Sequence, residues 1–240
     1  MIESQAKPRV AIVDFGLGNL FSVRQACMAV NMEAIVTSSP EDVLAADALI
    51  LPGVGAFADA MQVLRERELD TAIKNVAASG RLVVGVCLGM QLLMTESEEF
   101  GRHGGLDLLA GRVTRLPEGM RWPGGRRAKV PAICWNEIRA ASNGGGTDDV
   151  PELWKGTPLE DTPDGTRFYF VHSFAVTPDA KADQLATTIY GERSYCSSVR
   201  RKNVIGLQFH PERSGPAGLA IYASIARLVT AGAAAGEAGA

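Results

Sequence analysis

The 240-residue chain has only four cysteines, Cys27, Cys87, Cys134 and Cys196. They are scattered, and no two stand close enough for a zinc-binding pair. That sets aside a disulfide scaffold and a metal site, and points to a reduced, cytoplasmic protein. Long apolar runs are also lacking. Nothing reaches the length needed to span a bilayer, and Met1–Arg9 has no apolar core of the signal-peptide kind. Nor does charge of one sign accumulate. With 24 Lys and Arg against 27 Asp and Glu, the formal net charge of −3 gives no reason to expect nucleic acid or an anionic membrane as partner. Internal repeats are absent. What remains is an ordinary globular composition, 46% hydrophobic and 21% charged, in a length that suits one substantial core.

The chain is organised around Arg81-Leu82-Val83-Val84-Gly85-Val86-Cys87-Leu88-Gly89-Met90-Gln91-Leu92-Leu93-Met94. An apolar β-branched run ends in Gly-x-Cys-x-Gly and passes into an apolar helix-forming segment. This is the pattern of a nucleophile elbow. Gly85 and Gly89 flank the turn, where a Cβ would collide with the neighbouring strand or the new helix. Cys87 is left at the tip, where the helix dipole and free backbone N–H groups favour thiolate. A buried cysteine closing a parallel strand would look the same in isolation.

Before the elbow, Arg9–Asp14, Ala34–Thr37 and Asp47–Leu51 are short apolar runs of the kind that form central parallel strands. Leu20, Val23, Ala26, Cys27 and Val30 recur at helical spacing behind Asn19 or Ser22 as N-cap. Ala56–Arg67 and Leu69–Ala78 also read as helix. Gly16-Leu17-Gly18 suggests a dinucleotide loop, but Phe21 and Ser22 stand where its third glycine belongs, and no acidic residue ends the next strand. The alternation predicts a doubly wound α/β sheet, whose ligands bind at the carboxyl ends of the strands. Pro52-Gly53-Val54-Gly55 and Cys87 lie at such ends.

From about Leu106 the pattern changes. Gly111–Leu116, Val130–Ile138, Arg167–Val176, Gln184–Tyr190, Tyr195–Arg200 and Val204–Phe209 read as strands with partial alternation. Ser142–Gly165 is turn-rich and long for a loop. Gly215–Thr230 closes the chain as a helix. The expected division is an extension over residues 1–8, one domain over 9–230 and a disordered small-residue tail over 231–240.

Gln208-Phe209-His210-Pro211-Glu212 ends the last strand. His210 and Glu212, two apart, would point the same way from a strand, and Pro211 stiffens the link. With Cys87 they suit a set in which the thiol attacks, His210 shuttles the proton and Glu212 orients the imidazole. Alone, His210 is equally readable as a carboxylate-capped histidine at a strand end. Attack on an amide also needs donors for the developing oxyanion. An elbow supplies the N–H of Leu88, and the turn at Gly53 and Val54 is the one good candidate for a second. An ordinary strand-end turn is its plain alternative.

Pro52–Gly55, Gly85–Gln91, Phe170-Val171-His172-Ser173-Phe174 and Gln208–Glu212 together resemble a class I (triad-type) glutamine amidotransferase domain, in order and spacing over nearly the whole chain. Within that class, Asp14–Val23, Lys129-Val130-Pro131 with Trp135-Asn136, and Tyr169–Ser173 are similar to the glutaminase subunit of imidazole glycerol phosphate synthase. The resemblance implies a flavodoxin-like α/β fold: a mostly parallel central sheet with helices on both faces and an added antiparallel β segment. It implies hydrolysis of L-glutamine to glutamate and ammonia through a thioester on Cys87, with no cofactor. Gln91 and the Gly53 turn would hold glutamine, and the surroundings of His172, Ser173 and Phe174 would take its α-carboxylate end. Trp135, Asn136, Tyr169 and Arg213 would lie at or near the interface with a (β/α)8 cyclase subunit in a heterodimer. That partner would receive the ammonia to form imidazole glycerol phosphate and AICAR in histidine biosynthesis. Its ligand would reshape the Pro52-Gly53-Val54 peptide into a productive oxyanion hole. Ala132 and Cys134 stand where the family usually has His and Gly, and Ala140–Gly165 is longer than usual. Both departures touch the partner-facing region. The alternatives are a related subunit feeding another sugar or nucleotide acceptor, a cysteine peptidase or deglycase on a related fold, and a regulatory subunit without turnover.

Overall fold

The computed structural model describes residues 7–141 and 150–237. β1 (Arg9–Val13), α1 (Leu20–Ala29), β2 (Glu33–Thr37), α2 (Pro40–Ala45) and β3 (Ala48–Leu51) alternate as the sequence predicts, with α2 an addition. Ser39 caps α2, its hydroxyl accepting from the Asp42 N–H at 3.3 Å, and Pro40 occupies the first turn, where a missing N–H costs nothing. α3 (Phe57–Glu66), α4 (Leu69–Ala78), β4 (Leu82–Val86) and α5 (Leu88–Leu92) follow. The helix expected to run through Met94 stops at Leu92, and Met94 opens β5 (Met94–Ser97). The run Met90–Met94 is apolar throughout, so its periodicity could not mark the change from helix to strand.

β6 (His103–Gly104), β7 (Leu109–Arg115), β8 (Ala132–Glu137), β9 (Arg139–Ala140) and α6 (Val150–Trp154) lead to β10 (Arg167–His172) and β11 (Phe174–Pro178). β12 (Gln184–Tyr190), β13 (Arg193–Arg201), β14 (Val204–Leu207) and α7 (Gly215–Glu237) complete the chain. The long stretch read as turns thus contains a helical turn. Its Trp154 is buried and donates to the Leu185 carbonyl at 2.8 Å. Residues 142–149, the glycine-rich part of that loop, lie outside the described residues. The last helix passes the expected end at Thr230 and continues to Glu237, so it overlaps the tail expected over 231–240; residues 238–240 lie outside the described ones.

β2, β1, β3, β4 and β14 pair in parallel, in that order. The same sheet continues through β13, β11 and β7 with antiparallel pairing. The parallel strands are apolar at successive positions because both their faces are covered. Ala11, Val13, Leu49, Leu51 and Val83 pack with α3 and α4 on one side. Val10, Ile12, Ile50, Val84 and Val86 pack with α1 and α7 on the other. This is the doubly wound arrangement with an antiparallel extension that the sequence predicts.

The single strand predicted over Arg167–Val176 is two strands. β10 pairs with β8 in a separate two-stranded ribbon, whereas β11 lies between β7 and β13 in the main sheet. Burial alternates through Phe168, Phe170 and His172, and Phe174, Ala175 and Val176 are then buried in succession, so apolar patterning does not mark the change of partner at Ser173. Among the described residues, no helix is long and apolar enough to cross a membrane, and no group of three or more His, Cys, Asp or Glu could hold a metal ion.

Candidate active site

β4 and β14 are adjacent and parallel, and their carboxyl ends carry Cys87 and the His-Pro-Glu segment. Cys87 sits at the N-cap of α5 with φ 52° and ψ −106°, a sparsely populated conformation for a residue with a side chain. The flanking glycines permit it. A Cβ at Gly85 would lie 2.6 Å from the Gly89 carbonyl carbon, and one at Gly89 would overlap the Leu51 carbonyl oxygen. The strained turn is therefore held by packing on both sides, as the sequence pattern anticipates.

His210 Nδ1 is 2.8 Å from Glu212 Oε1, and both side chains are buried. Their geometry differs in origin from the expected one. β14 ends at Leu207, and Pro211–Arg213 forms a 3₁₀ turn rather than a strand, so the turn brings the carboxylate under the imidazole. Ser214 steadies that turn. Its hydroxyl donates to the His210 carbonyl at 2.7 Å and accepts from the Tyr169 N–H at 3.0 Å. His210 Nε2 is buried, has no hydrogen-bond partner among the described residues, and faces Cys87. Burial alone would lower the imidazole pKa. The Cys87 sulfur and Glu212 carboxylate outweigh it and raise the value to about 10. The group poised against the sulfur is thus an imidazolium.

Cys87, Leu88, Val54, Gly55, Gln91, His172, Ser173 and Phe174 line one cavity of about 320 Å³. The structure brings these predicted residues together, but it gives several of them a settled partner. Gln91 Nε2 donates to the Phe174 carbonyl at 3.1 Å. His172 Nδ1 contacts the same carbonyl at 2.8 Å and Nε2 contacts the Tyr195 hydroxyl at 3.1 Å. These partners assign the proton to Nδ1. Burial, the largest influence, lowers the His172 pKa to about 4, so the ring is neutral at pH 7. The Leu88 N–H donates to the Gly53 carbonyl at 3.3 Å. The N–H after the cysteine is thus already engaged by backbone. Gly53 approaches closely enough that a Cβ would lie 2.9 Å from Leu88 Cβ.

Glu99, Phe100, Arg115 and Pro131 also line the cavity, and sequence reasoning did not find them. Glu99 belongs to the acidic run Glu96–Glu99, which reads as solvated surface, yet it is buried and accepts from the Phe57 N–H at 2.7 Å. No motif signals either charge. Gln208 was quoted only as part of a signature. Its Nε2 is 3.6 Å from Cys87 Sγ.

Trp135 pairs across the ribbon with Tyr169, and Ile133 with Val171, which places these four on one face. Trp135 and Ile133 are more than half exposed. The Trp135 and Tyr169 rings meet edge to face at 6.2 Å, and the Arg213 guanidinium lies 5.0 Å from the Tyr169 ring centroid. Asn136 stands apart. It has the opposite parity on β8, and its amide donates to the Ile189 carbonyl at 2.7 Å.

A parallel sheet whose elbow cysteine meets a histidine–carboxylate pair beside a cavity defines the glutamine amidotransferase class. The chain belongs to the class-I glutamine amidotransferase family, which it matches over residues 11–225. Within it, the chain is 47% identical to the imidazole glycerol phosphate synthase subunit HisH of Symbiobacterium thermophilum, over 92% of this chain and 94% of that one. It is 42% identical to the subunit of the same name from Moorella thermoacetica, covering 92% and 95%. Among solved structures, it shares its fold with the structure of PurLQS from Thermotoga maritima, with a TM-score of 0.64 and 20% identity over 92% of this chain and 99% of that one. The glutaminase domain of Trypanosoma brucei CTPS gives 0.56 and 17%, covering 94% of each.

Proposed function

We propose that this chain is the glutamine-hydrolysing subunit of an imidazole glycerol phosphate synthase, acting in histidine biosynthesis beside a cyclase subunit. The buried Cys87–His210–Glu212 set, whose Cys87 lines a cavity of amino-acid size, carries the proposal. The relatives named above supply the acceptor pathway. Cys87 attacks the carboxamide carbon of glutamine, and the imidazolium of His210 protonates the leaving nitrogen as the carbon–nitrogen bond breaks. Ammonia departs and a γ-glutamyl thioester remains. His210, now neutral, takes a proton from water as that water attacks the thioester, and glutamate leaves with the sulfur restored. Glu212 keeps the imidazole in register throughout.

The amino-acid head of glutamine lies toward Glu99 and Arg115, whose opposite charges suit an ammonium and a carboxylate. Gln91, His172, Ser173 and Phe174 form the wall between. The oxyanion is held by the N–H of Leu88 together with that of Val54, once the Gly53–Val54 peptide rotates. In the resting turn the Gly53 carbonyl blocks this arrangement, so the isolated chain is a slow glutaminase. The strip of Ile133, Trp135, Tyr169 and Arg213 beside His210 is where a cyclase docks and receives ammonia.

The test is direct. Cys87→Ala abolishes glutamine-dependent synthesis by the two-subunit complex and leaves ammonia-dependent synthesis intact. Loss of both would contradict this division of labour. Glutamine hydrolysis by the chain alone is expected to rise by orders of magnitude when the cyclase and its nucleotide ligand are added. Full turnover without them would refute the blocked turn as the resting state.

A further inference from the structure

We propose that Gln208 is a catalytic residue whose side-chain amide holds the Cys87 sulfur as thiolate. The inference rests on Cys87 being the nucleophile and goes beyond the triad. Two groups besides His210 touch the sulfur, and they pull in opposite senses. The Val171 carbonyl oxygen, 3.8 Å away, is an acceptor and suits the thiol. Gln208 Nε2, 3.6 Å away, is a donor and suits the thiolate. Gln208 is fully buried, so its amide is not diluted by water and its dipole acts in a weakly screening medium.

The orientation of that amide follows from its surroundings. Turned the other way, Oε1 would face the sulfur beside the Val171 carbonyl, and a thiolate there would meet two carbonyl oxygens and no amide donor. In the observed orientation Oε1 is buried without a partner, and so is the Ser197 hydroxyl. The two residues are cross-strand neighbours, with the Gln208 N–H donating to the Ser197 carbonyl at 3.0 Å. The amide is thus placed by its backbone strand pairing, with its N–H side toward the sulfur. Histidine alone cannot do this work through the whole cycle. Once His210 has given its proton to the leaving nitrogen, Gln208 remains as a donor beside the departing or returning sulfur.

The other titratable or charged groups around the nucleophile are His210 with Glu212 from the 3₁₀ turn, His172 from β10, Tyr195 from β13, and Glu99 and Arg115 across the cavity. None of them is altered by Gln208→Met, which keeps an unbranched side chain of similar length and removes the donor. The experiment measures iodoacetamide alkylation of Cys87 against pH in the complex with cyclase, following the Cys87 peptide by mass spectrometry. Gln208→Met is expected to raise the midpoint by about one pH unit, equivalent to about a tenfold loss of thiolate below it. The kcat for glutamine is expected to fall at least as far, with KM little changed. If Gln208→Met is not recovered folded, Gln208→Asn, which withdraws the amide by one methylene, is read identically. An unchanged midpoint in a folded variant overturns the role of Gln208. Failure of a glutamine-analogue electrophile, diazo-oxo-norleucine, to label Cys87 in the unmodified complex would instead overturn the glutaminase reading.

Discussion

His172 and His210 are shifted in opposite directions, because burial, helped by the nearby His210 charge, disfavours the charged ring of one, whereas the other faces a sulfur and a carboxylate. The unfolded chain binds a proton on each near its ordinary value of 6.5. Folded His172 resists protonation until about pH 4. The stability it contributes is therefore complete above 6.5 and is lost as pH falls through 4. His210 behaves in reverse: its contribution is complete below 6.5 and is lost as pH rises through about 10. Thermal melts between pH 7 and pH 4 are expected to show a smaller fall in Tm for His172→Asn than for the unmodified protein. An equal fall in both would mean that His172 is not held neutral. From sequence, His172 entered as part of the surroundings of the glutamine α-carboxylate. Both its ring nitrogens are engaged by neighbours that lie two and twenty-three residues away, and spacing could reveal only the first.

At the scale of an element, the elbow was the most legible feature. Gly85 cannot accommodate a Cβ because the elbow's own helix start lies against it, and Gly89 because β3 passes at Leu51; both constraints are written directly into residue type. Gly89→Ala is expected to destabilise the fold by about 3 kcal/mol through overlap with the Leu51 carbonyl, measured by urea denaturation. A loss below about 0.5 kcal/mol would show that the elbow can relax. The turn at Gly53 was legible as a donor candidate but not in its state. Whether its carbonyl or the following N–H faces Leu88 depends on one peptide rotation, and the same residues serve both arrangements. The break at Ser173 was not legible at all. Alternation reports which side chains are buried, not which strand covers them, so β10 and β11 read as one.

Across the whole molecule, the antiparallel ribbon of β8 and β10 carries exposed Trp135 and Ile133 on the same side as His210 and Arg213. A half-exposed Trp set edge to face on Tyr is the kind of side chain that anchors protein interfaces. Trp135→Ala is expected to weaken the complex with cyclase by about 2 kcal/mol, a roughly thirtyfold rise in Kd, measured by titration calorimetry. The melting temperature of the isolated chain should scarcely change. A Kd within twofold of the original would remove this strip from the interface. Asn136, expected in the same strip, instead ties β8 to the Ile189 carbonyl, and its substitution should act on stability first. By itself the sequence determined the parallel sheet and the elbow, and it picked out Cys87, His210 and Glu212 as a candidate set, since each is set by residue type over a few neighbouring positions. Only the tertiary structure decided that Glu99 and Arg115 reach the cavity, that Gln208 touches the sulfur, and that the Gly53 carbonyl takes up the Leu88 N–H. Those contacts join segments far apart along the chain, and their energies depend on packing that no local pattern encodes.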